Sequence, residues 1–213
     1  RIFRDTNRRT VALLGGAKIS TKLKIITNLA KKFDKILIGG GMANTFLSSQ
    51  GVDIGSSLNE PKSHSDAREI FNQFKEKLFL PEDVIVVNSN NHDINKTVNV
   101  NELHGQDNII MDIGPKTRKS FYNHIQKSEI LLWNGPLGFF EKKPFDNGSN
   151  YVASVVKVMN NKKFFSVAGG GDTISCIKNS SFFDFFSFIS TGGGAFLELI
   201  EGKRLPGIEI LNN

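Results

Sequence analysis

The chain has 213 residues, of which 39% are hydrophobic and 23% charged, as in an ordinary globular protein with a sizeable core. No apolar run approaches the roughly 20 residues that span a membrane, and the N-terminus lacks the pattern of a signal peptide, so we expect a cytoplasmic protein with no membrane partner. The 27 Lys and Arg outnumber the 21 Asp and Glu, for a net charge of +6, but they are scattered and no nucleic-acid recognition motif is present, so we expect no nucleic-acid partner.

The single cysteine, Cys176, excludes an intrachain disulfide and a four-cysteine zinc site, and we expect it to be a small buried apolar residue. The chain does not begin with methionine, so we expect it to start within a longer sequence.

Strands and helices are predicted to alternate along the chain. Short apolar runs that end in glycine or a polar residue indicate buried strands, and apolar residues at steps of three and four indicate amphipathic helices. The predicted strands cover 10–14, 35–38, 83–87, 108–113, 129–133 and 163–168, together with an apolar run over 182–189. The predicted helices are one with Ile19, Leu23, Ile26, Ala30 and Phe33 on its apolar face, then 42–48, 63–78 (ended by Pro81), 116–126, 148–159 and a last one that buries Phe196, Leu199 and Ile200.

The Asn-rich segment 88–106 is expected to form a loop or a hairpin in which His92 and His104 are solvated rather than metal ligands. The alternation continues without a linker or an internal repeat. It therefore predicts a single α/β domain, a three-layer Rossmann-like parallel sheet with helices on both faces.

Two lysines stand at the start of the first predicted helix. Lys18 and Lys22 are four residues apart, so we expect them to share one face in the first turns, where the helix dipole disfavours each by up to about 1 kcal/mol. They are either ordinary surface lysines or, if an anion binds there, favourable partners for it.

Glycines follow most of the predicted strands. They form pairs or triplets at 15–16, 39–41, 169–171 and 192–194, with single glycines at 114, 135 and 138. In an open parallel sheet the carboxyl ends of the strands meet at one edge, where ligands bind near the switch in strand order. Glycines at only one end of the strands indicate a surface kept free of side chains for a nucleotide-sized ligand.

The stretch Ser166-Val167-Ala168-Gly169-Gly170-Gly171-Asp172-Thr173 combines a strand end, three glycines, and an acidic and a hydroxyl residue at a helix start. Such a combination indicates phosphate and metal binding. A plain turn, with Asp172 or Thr173 as the N-cap of the next helix, is the alternative.

Two familiar nucleotide fingerprints are absent. Gly-x-Gly-x-x-Gly does not follow the first strand, and the second strand ends in Gly39 where a dehydrogenase has an acidic ribose ligand. The Gly-x-x-x-x-Gly-Lys-Ser/Thr motif is also missing. The phosphates must be held in another way.

Six stretches, in order and over nearly the whole chain, resemble the C-terminal, nucleotide-binding half of phosphoglycerate kinase. They are Gly15-Gly16-Ala17-Lys18 with Lys22; Ile38-Gly39-Gly40-Gly41-Met42-Ala43 with Phe46; Asp112-Ile113-Gly114-Pro115; Trp133-Asn134-Gly135-Pro136-Leu137-Gly138 with Phe140-Glu141; Gly169-Gly170-Gly171-Asp172-Thr173; and Ser190-Thr191-Gly192-Gly193-Gly194-Ala195 with Leu197-Glu198, Glu201-Gly202-Lys203 and Leu205-Pro206-Gly207.

The resemblance implies that ADP or ATP lies across the glycine edge with Mg²⁺, which Asp172 would hold. Lys18, Gly171 and Gly194 would act on the transferring phosphoryl group. The implied nucleotide contacts are Lys22 and Thr173 at the phosphates, Asn134 at the phosphates or ribose, and Glu141 at the ribose. Gly16, Gly39, Gly40, Met111, Pro136 and Phe139 would line the adenine pocket, and Ala17 and Gly170 would also contact the nucleotide. The backbone N–H groups of Gly192 and Gly193, with Gly194, would bind the migrating phosphoryl group.

The implied reaction is the reversible, glycolytic transfer between 1,3-bisphosphoglycerate and ADP that gives 3-phosphoglycerate and ATP, by positioning and charge neutralisation. The family's N-terminal half, which binds 3-phosphoglycerate, has no counterpart in these residues. Residues 1–9 would be a remnant of the interdomain segment, and Arg1, Arg4, Arg8 and Arg9 are assigned no substrate role. We expect a monomer that binds Mg-nucleotide but has negligible kinase activity.

The sequence departs from the family at two aromatic positions. Phe188 stands where the family has His, and Phe139 is bulkier than the usual aliphatic residue of the adenine pocket. A nucleotide-binding domain without catalysis and a purely structural α/β domain remain the competing interpretations.

Overall fold

The structure, a computed structural model, describes residues 8–89, 95–160, 163–178 and 180–203. The strands in chain order are β1 (Thr10–Leu14), β2 (Lys35–Ile38), β3 (Leu78–Phe79), β4 (Asp83–Asn88), β5 (Asn95–Asn99), β6 (Asn108–Ile113), β7 (Ile130–Asn134), β8 (Phe165–Gly169) and β9 (Phe188–Ser190). The helices are α1 (Leu23–Lys32), α2 (Gly40–Ser49), α3 (His64–Gln73), α4 (Pro115–Ile125), α5 (Asn147–Met159), α6 (Gly171–Lys178) and α7 (Gly193–Ile200).

A six-stranded sheet in the order β3-β2-β1-β7-β8-β9 forms the centre of the fold, and every neighbouring pair in it is parallel. The chain builds outward from β1 through β2 to β3, then returns to the other side of β1 and continues through β7, β8 and β9. The strand order therefore switches between β1 and β7. This is the place where an open α/β sheet leaves a crevice at its carboxyl edge.

Both faces of this sheet are covered, because alternate residues of each buried strand enter opposite cores. Ala12 and Leu14 of β1 pack into the core that contains α1 and the buried residues of α3 and α7. Val11 and Leu13 pack into the core that contains α4, α5 and the fully buried Trp133. The predicted three-layer α/β fold is confirmed.

A second sheet, β5-β4-β6, is antiparallel throughout. The predictions placed 83–87 and 108–113 in one parallel sheet, which is wrong for these two strands. Buried apolar runs of this length suit either kind of sheet, and the hairpin partner β5 decides the direction. Within its described part, the segment 88–106 forms the expected hairpin.

Two helix boundaries differ from the predictions. The predicted helix over 63–78 ends at Gln73, because the chain turns at Phe74 and Leu78–Phe79 pairs with β2 as a strand. Pro81 therefore does not end this helix. The first helix begins at Leu23, so Lys22 is its N-cap and Lys18 lies in the turn before it rather than in its first turns.

The apolar run over 182–189 is a strand only at its end, in β9, and a 3-10 turn occupies Phe183–Phe185. Phe188 is 55% exposed on this edge strand. Cys176 is buried and unpaired as expected, and His104 is exposed. His92 and Leu205-Pro206-Gly207 lie outside the described residues, and none of the helices in the described part has the length and apolar character needed to span a bilayer.

Candidate active site

The crevice between β1 and β7 is closed by a lysine. Gly15 donates its N–H to the Asn134 carbonyl at 2.9 Å, and Lys22 Nζ donates to the carbonyls of Gly15 at 2.6 Å and Asn134 at 3.3 Å. Burial lowers the pKa of Lys22 to about 8, although Asp172 raises it in part. The sequence thus places a desolvated cation at the switch in strand order.

Three glycine-containing segments meet there backbone to backbone. Gly40 has a φ of +66°, and a Cβ at this position would lie 2.7 Å from the Gly16 nitrogen and 2.8 Å from the Pro136 oxygen. Gly16 in turn donates its N–H to the Pro136 carbonyl at 2.8 Å. No side chain fits between these segments, which explains why glycine follows β1, β2 and β7.

Asn134 and Thr173 join β7 to β8 and α6. Thr173 Oγ1 accepts from the Gly135 N–H at 2.6 Å and donates to the Gly169 carbonyl, while Asn134 Nδ2 donates to the same carbonyl at 2.6 Å. The Thr173 hydroxyl is therefore already engaged by the backbone. Asn134 Oδ1 is buried and has no hydrogen-bond partner among the described residues, so it is available to a donor such as water or a ligand hydroxyl.

A cavity of about 420 Å³ opens beside this junction. Eight of the predicted site residues line it: Gly16, Ala17, Gly40, Met111, Pro136, Phe139, Glu141 and Asp172. Its other walls are largely apolar and come from Leu58, Ile109, Ile110, Val84, Pro81 and Leu137, with Asn44 and the backbone of neighbouring residues. The size and apolar character of the cavity suit a flat heterocycle.

The walls contributed by Leu58 and by Ile109 and Ile110 of β6 were not predicted from the sequence. Leu58 belongs to the loop after α2, where Asn44 Nδ2 holds its carbonyl at 3.2 Å. Leu58 and Phe139 remain 51% and 48% exposed at the cavity, so both offer apolar surface to a ligand. Apolar residues in a loop form no motif, and only the resemblance had pointed to Met111.

Asp172 is, with Glu141, one of two exposed carboxylates in the cavity lining, and it lies in the first turn of α6. The described residues contain no cluster of three or more His, Cys, Asp or Glu side chains that could hold a metal ion by themselves. A single hard oxygen donor fits Mg²⁺, which proteins commonly bind through one or two carboxylates together with substrate phosphates. The donor set is thus compatible with a magnesium ion that arrives with a nucleotide.

The remaining predicted site residues are not part of the cavity lining. Gly39 packs against Leu137, Gly170 lies over the Asn134 amide, and the Cβ position of Gly171 is open. Gly192 caps α7, and Gly193 and Gly194 form its exposed first turn. Lys18 is exposed in the turn before Lys22.

Comparison with known proteins shows which proteins share this sequence and architecture. A family model described as phosphoglycerate kinase matches residues 1–203. Phosphoglycerate kinase from Orientia tsutsugamushi (strain Ikeda) is 44% identical over 99% of this chain and 53% of the relative, and that from Desulfosudis oleivorans is 43% identical over 96% and 52%. The solved structure of phosphoglycerate kinase from Coxiella burnetii superimposes with a TM-score of 0.91 at 36% identity, covering 100% of this chain and 55% of that one. The chain therefore spans about half the length of the curated relatives it matches.

Proposed function

This chain belongs to the phosphoglycerate kinase family, and on that premise we propose that it is the nucleotide-binding half of a kinase. The reaction is Mg²⁺-dependent transfer of a phosphoryl group between 1,3-bisphosphoglycerate and ADP, which gives 3-phosphoglycerate and ATP. The observation that carries the proposal is the apolar cavity at the β1–β7 switch, with Asp172 in its lining and Lys22 beside it.

The adenine occupies the apolar part of the cavity. Leu58 and Phe139 are the large apolar side chains left exposed there, and covering them with a base removes their surface from water. Glu141, two residues after Phe139, also lines the cavity and would accept from ribose hydroxyls. Phe139, although bulkier than its family counterpart, thus adds an aromatic face for the base.

The phosphates follow the glycine edge toward α6 and α7. α6 and α7 begin at this edge, and the backbone N–H groups in the first turn of a helix favour an anion. Lys22 supplies a cation that is already desolvated and fixed by two carbonyls. Mg²⁺ held by Asp172 would neutralise phosphate charge. Lys18, exposed four residues before Lys22, would contact the transferring group.

Catalysis on this site is positioning and charge neutralisation. The side chains that line the cavity include no Ser, Thr, Cys, His or Lys, and its two exposed carboxylates, Asp172 and Glu141, are assigned here to the metal and to the ribose rather than to a covalent intermediate. The phosphoryl group passes directly between the two substrates, held by glycine N–H groups and lysines. The acidic second substrate needs a basic site, and the residues that line the cavity include no Lys or Arg.

Calorimetric titration of the 213-residue chain with Mg-ADP tests the nucleotide role. We expect the chain to bind Mg-ADP. We expect Asp172→Ala to weaken the binding of Mg-ADP more than that of metal-free ADP, because only the metal complex uses the carboxylate. Asp184→Ala, at an exposed aspartate of the 3-10 turn, is the matched control and should leave both unchanged. A folded chain that fails to bind millimolar nucleotide would favour the structural interpretation, and equal losses for Asp172→Ala would remove its metal role.

A chimera tests the catalytic role. The chain by itself should show negligible turnover, and joining it to the N-terminal half of the Orientia tsutsugamushi relative should produce kinase activity that Lys18→Ala abolishes. A folded chimera that binds Mg-ADP without turnover would instead support a non-catalytic nucleotide-binding domain.

A further inference from the structure

Asp112 is a buried carboxylate that the proposed reaction does not use. It lies near the end of β6 among the residues that line the cavity, and its side chain is 0% exposed. Oδ1 accepts from the Ile113 N–H at 2.8 Å, and Oδ2 accepts from the Gly148 N–H at 2.7 Å in the first turn of α5. Burying a carboxylate is costly, so its place here calls for a role.

The carboxylate is the point where three elements meet. A Cβ at Gly138 or at Gly148 would overlap it, so both backbones pack directly on its oxygens. Gly138 precedes Phe139, whose N–H donates to the Met111 carbonyl at 2.8 Å. Asp112 thereby holds the segment 136–141, all six residues of which line the cavity, between β6 and the start of α5.

We propose that Asp112 is a positioning residue for the nucleotide cavity: its carboxylate fixes the wall formed by 136–141 against α5, and protonation of that carboxylate loosens the wall and weakens nucleotide binding. The inference rests on the proposed function of the cavity.

The charged groups around Asp112 determine how nucleotide binding changes with pH. Burial raises the pKa of Asp112 to about 7, while the Gly148 N–H and the Arg118 guanidinium, 3.7 Å away on α4, lower it and Asp146 before α5 raises it. Cys176 of α6 stays neutral, because burial raises the pKa of its thiol to about 11. The ionised form accepts from both backbone N–H groups; a protonated oxygen becomes a donor and weakens one of these contacts. Nucleotide affinity should therefore fall as the pH drops through 7.

The experiment measures ADP affinity from about pH 5.5 to about pH 7.5 for the wild type and three variants. Asp112→Asn places an amide donor against an N–H donor, so we expect roughly tenfold weaker binding at the upper end and a reduced pH dependence. Arg118→Gln should move the midpoint to higher pH, and Asp146→Asn should move it to lower pH, because they remove charges of opposite sign.

A merely structural role for Asp112 would not move the midpoint in opposite directions in the last two variants. Coincident midpoints in the wild type, Arg118→Gln and Asp146→Asn would overturn the inference even if Asp112→Asn does not fold. The backbone amide resonances of Phe139 and Gly148, read without nucleotide, should titrate with the same midpoints. If the wild type binds no ADP, the proposed function fails, and these resonances still decide whether Asp112 positions the wall.

Discussion

Lys22 has a charge that the fold disfavours and a phosphate would favour. Its ammonium is partly buried at the β1–β7 crevice and donates to two carbonyls, and burial lowers its pKa to about 8. A nucleotide phosphate placed beside it stabilises the protonated form and raises the pKa. Protonation of Lys22 and nucleotide binding are therefore linked.

The linkage predicts that ADP affinity falls as the pH rises through 8, by up to about tenfold per pH unit, so that with the opposite effect of Asp112 it is highest between about pH 7 and about pH 8. Near pH 9 the neutral amine of the free protein must take up a proton when ADP binds. Calorimetry in two buffers of different ionisation enthalpy measures this uptake. Lys22→Met should abolish this proton uptake, whereas Lys24→Met, at an exposed position of α1, should leave it unchanged. If Lys22→Met takes up as many protons as the wild type, the proton belongs to another group.

Single residues also show how much of the candidate site could be predicted from the sequence. Glycine is informative because it marks places where no side chain fits, and Gly16, Gly40 and Pro136 do lie in backbone contact. Leu58 and Ile110 are ordinary apolar residues until the fold places them over the same cavity. The resemblance supplied the residue roles, whereas the physical pattern supplied only the location.

Helices and strands were predictable where local pattern decides them. β1 and β7 are buried on both faces and appear as continuous apolar runs, so their positions could be predicted. The partner of a strand cannot be predicted in this way, and β4 and β6 form an antiparallel pair between residues that are 20 or more positions apart in sequence. The end of α3 likewise depends on pairing between Leu78–Phe79 and β2.

The junction between β4 and α4 depends on one carboxylate. Asp83 is buried, and its oxygens accept from the Lys116 N–H at 2.9 Å, the Thr117 N–H at 2.7 Å and the Thr117 hydroxyl at 2.7 Å. The first turn of α4 is thus capped by a side chain from a strand of the second sheet. This contact ties the antiparallel sheet to a helix that covers the central one.

Asp83→Asn should lower the free energy of unfolding by about 2–3 kcal/mol, because an amide nitrogen replaces one of the acceptors that face these buried donors. Urea unfolding followed by circular dichroism measures the loss. Asp66→Asn, an exposed residue in the first turn of α3, loses only a dipole contact and should cost about 0.5 kcal/mol. A similar cost for both variants would show that the Asp83 contacts contribute little beyond surface electrostatics.

At the scale of the whole molecule, both sheets contribute residues to the same cavity. The central sheet contributes the glycine edge, and the antiparallel sheet contributes Ile109, Ile110 and Met111 from β6. The Phe139 N–H to Met111 contact and the Asp112 contacts cross between them. A ligand in this cavity therefore touches both sheets and should stabilise them as one unit.

Trp133 makes this coupling measurable, because it is the single tryptophan, is fully buried in β7 and donates its Nε1–H to the Gly135 carbonyl at 2.7 Å. Its fluorescence reports the central sheet, whereas far-ultraviolet circular dichroism reports both sheets. At ADP concentrations about 100-fold above Kd, linkage predicts a gain of about 2.7 kcal/mol in the free energy of unfolding. Both probes should show the same gain with an unchanged denaturant slope. A shift in fluorescence that leaves a separate, unshifted circular dichroism transition would mean that the antiparallel sheet unfolds independently of the nucleotide site.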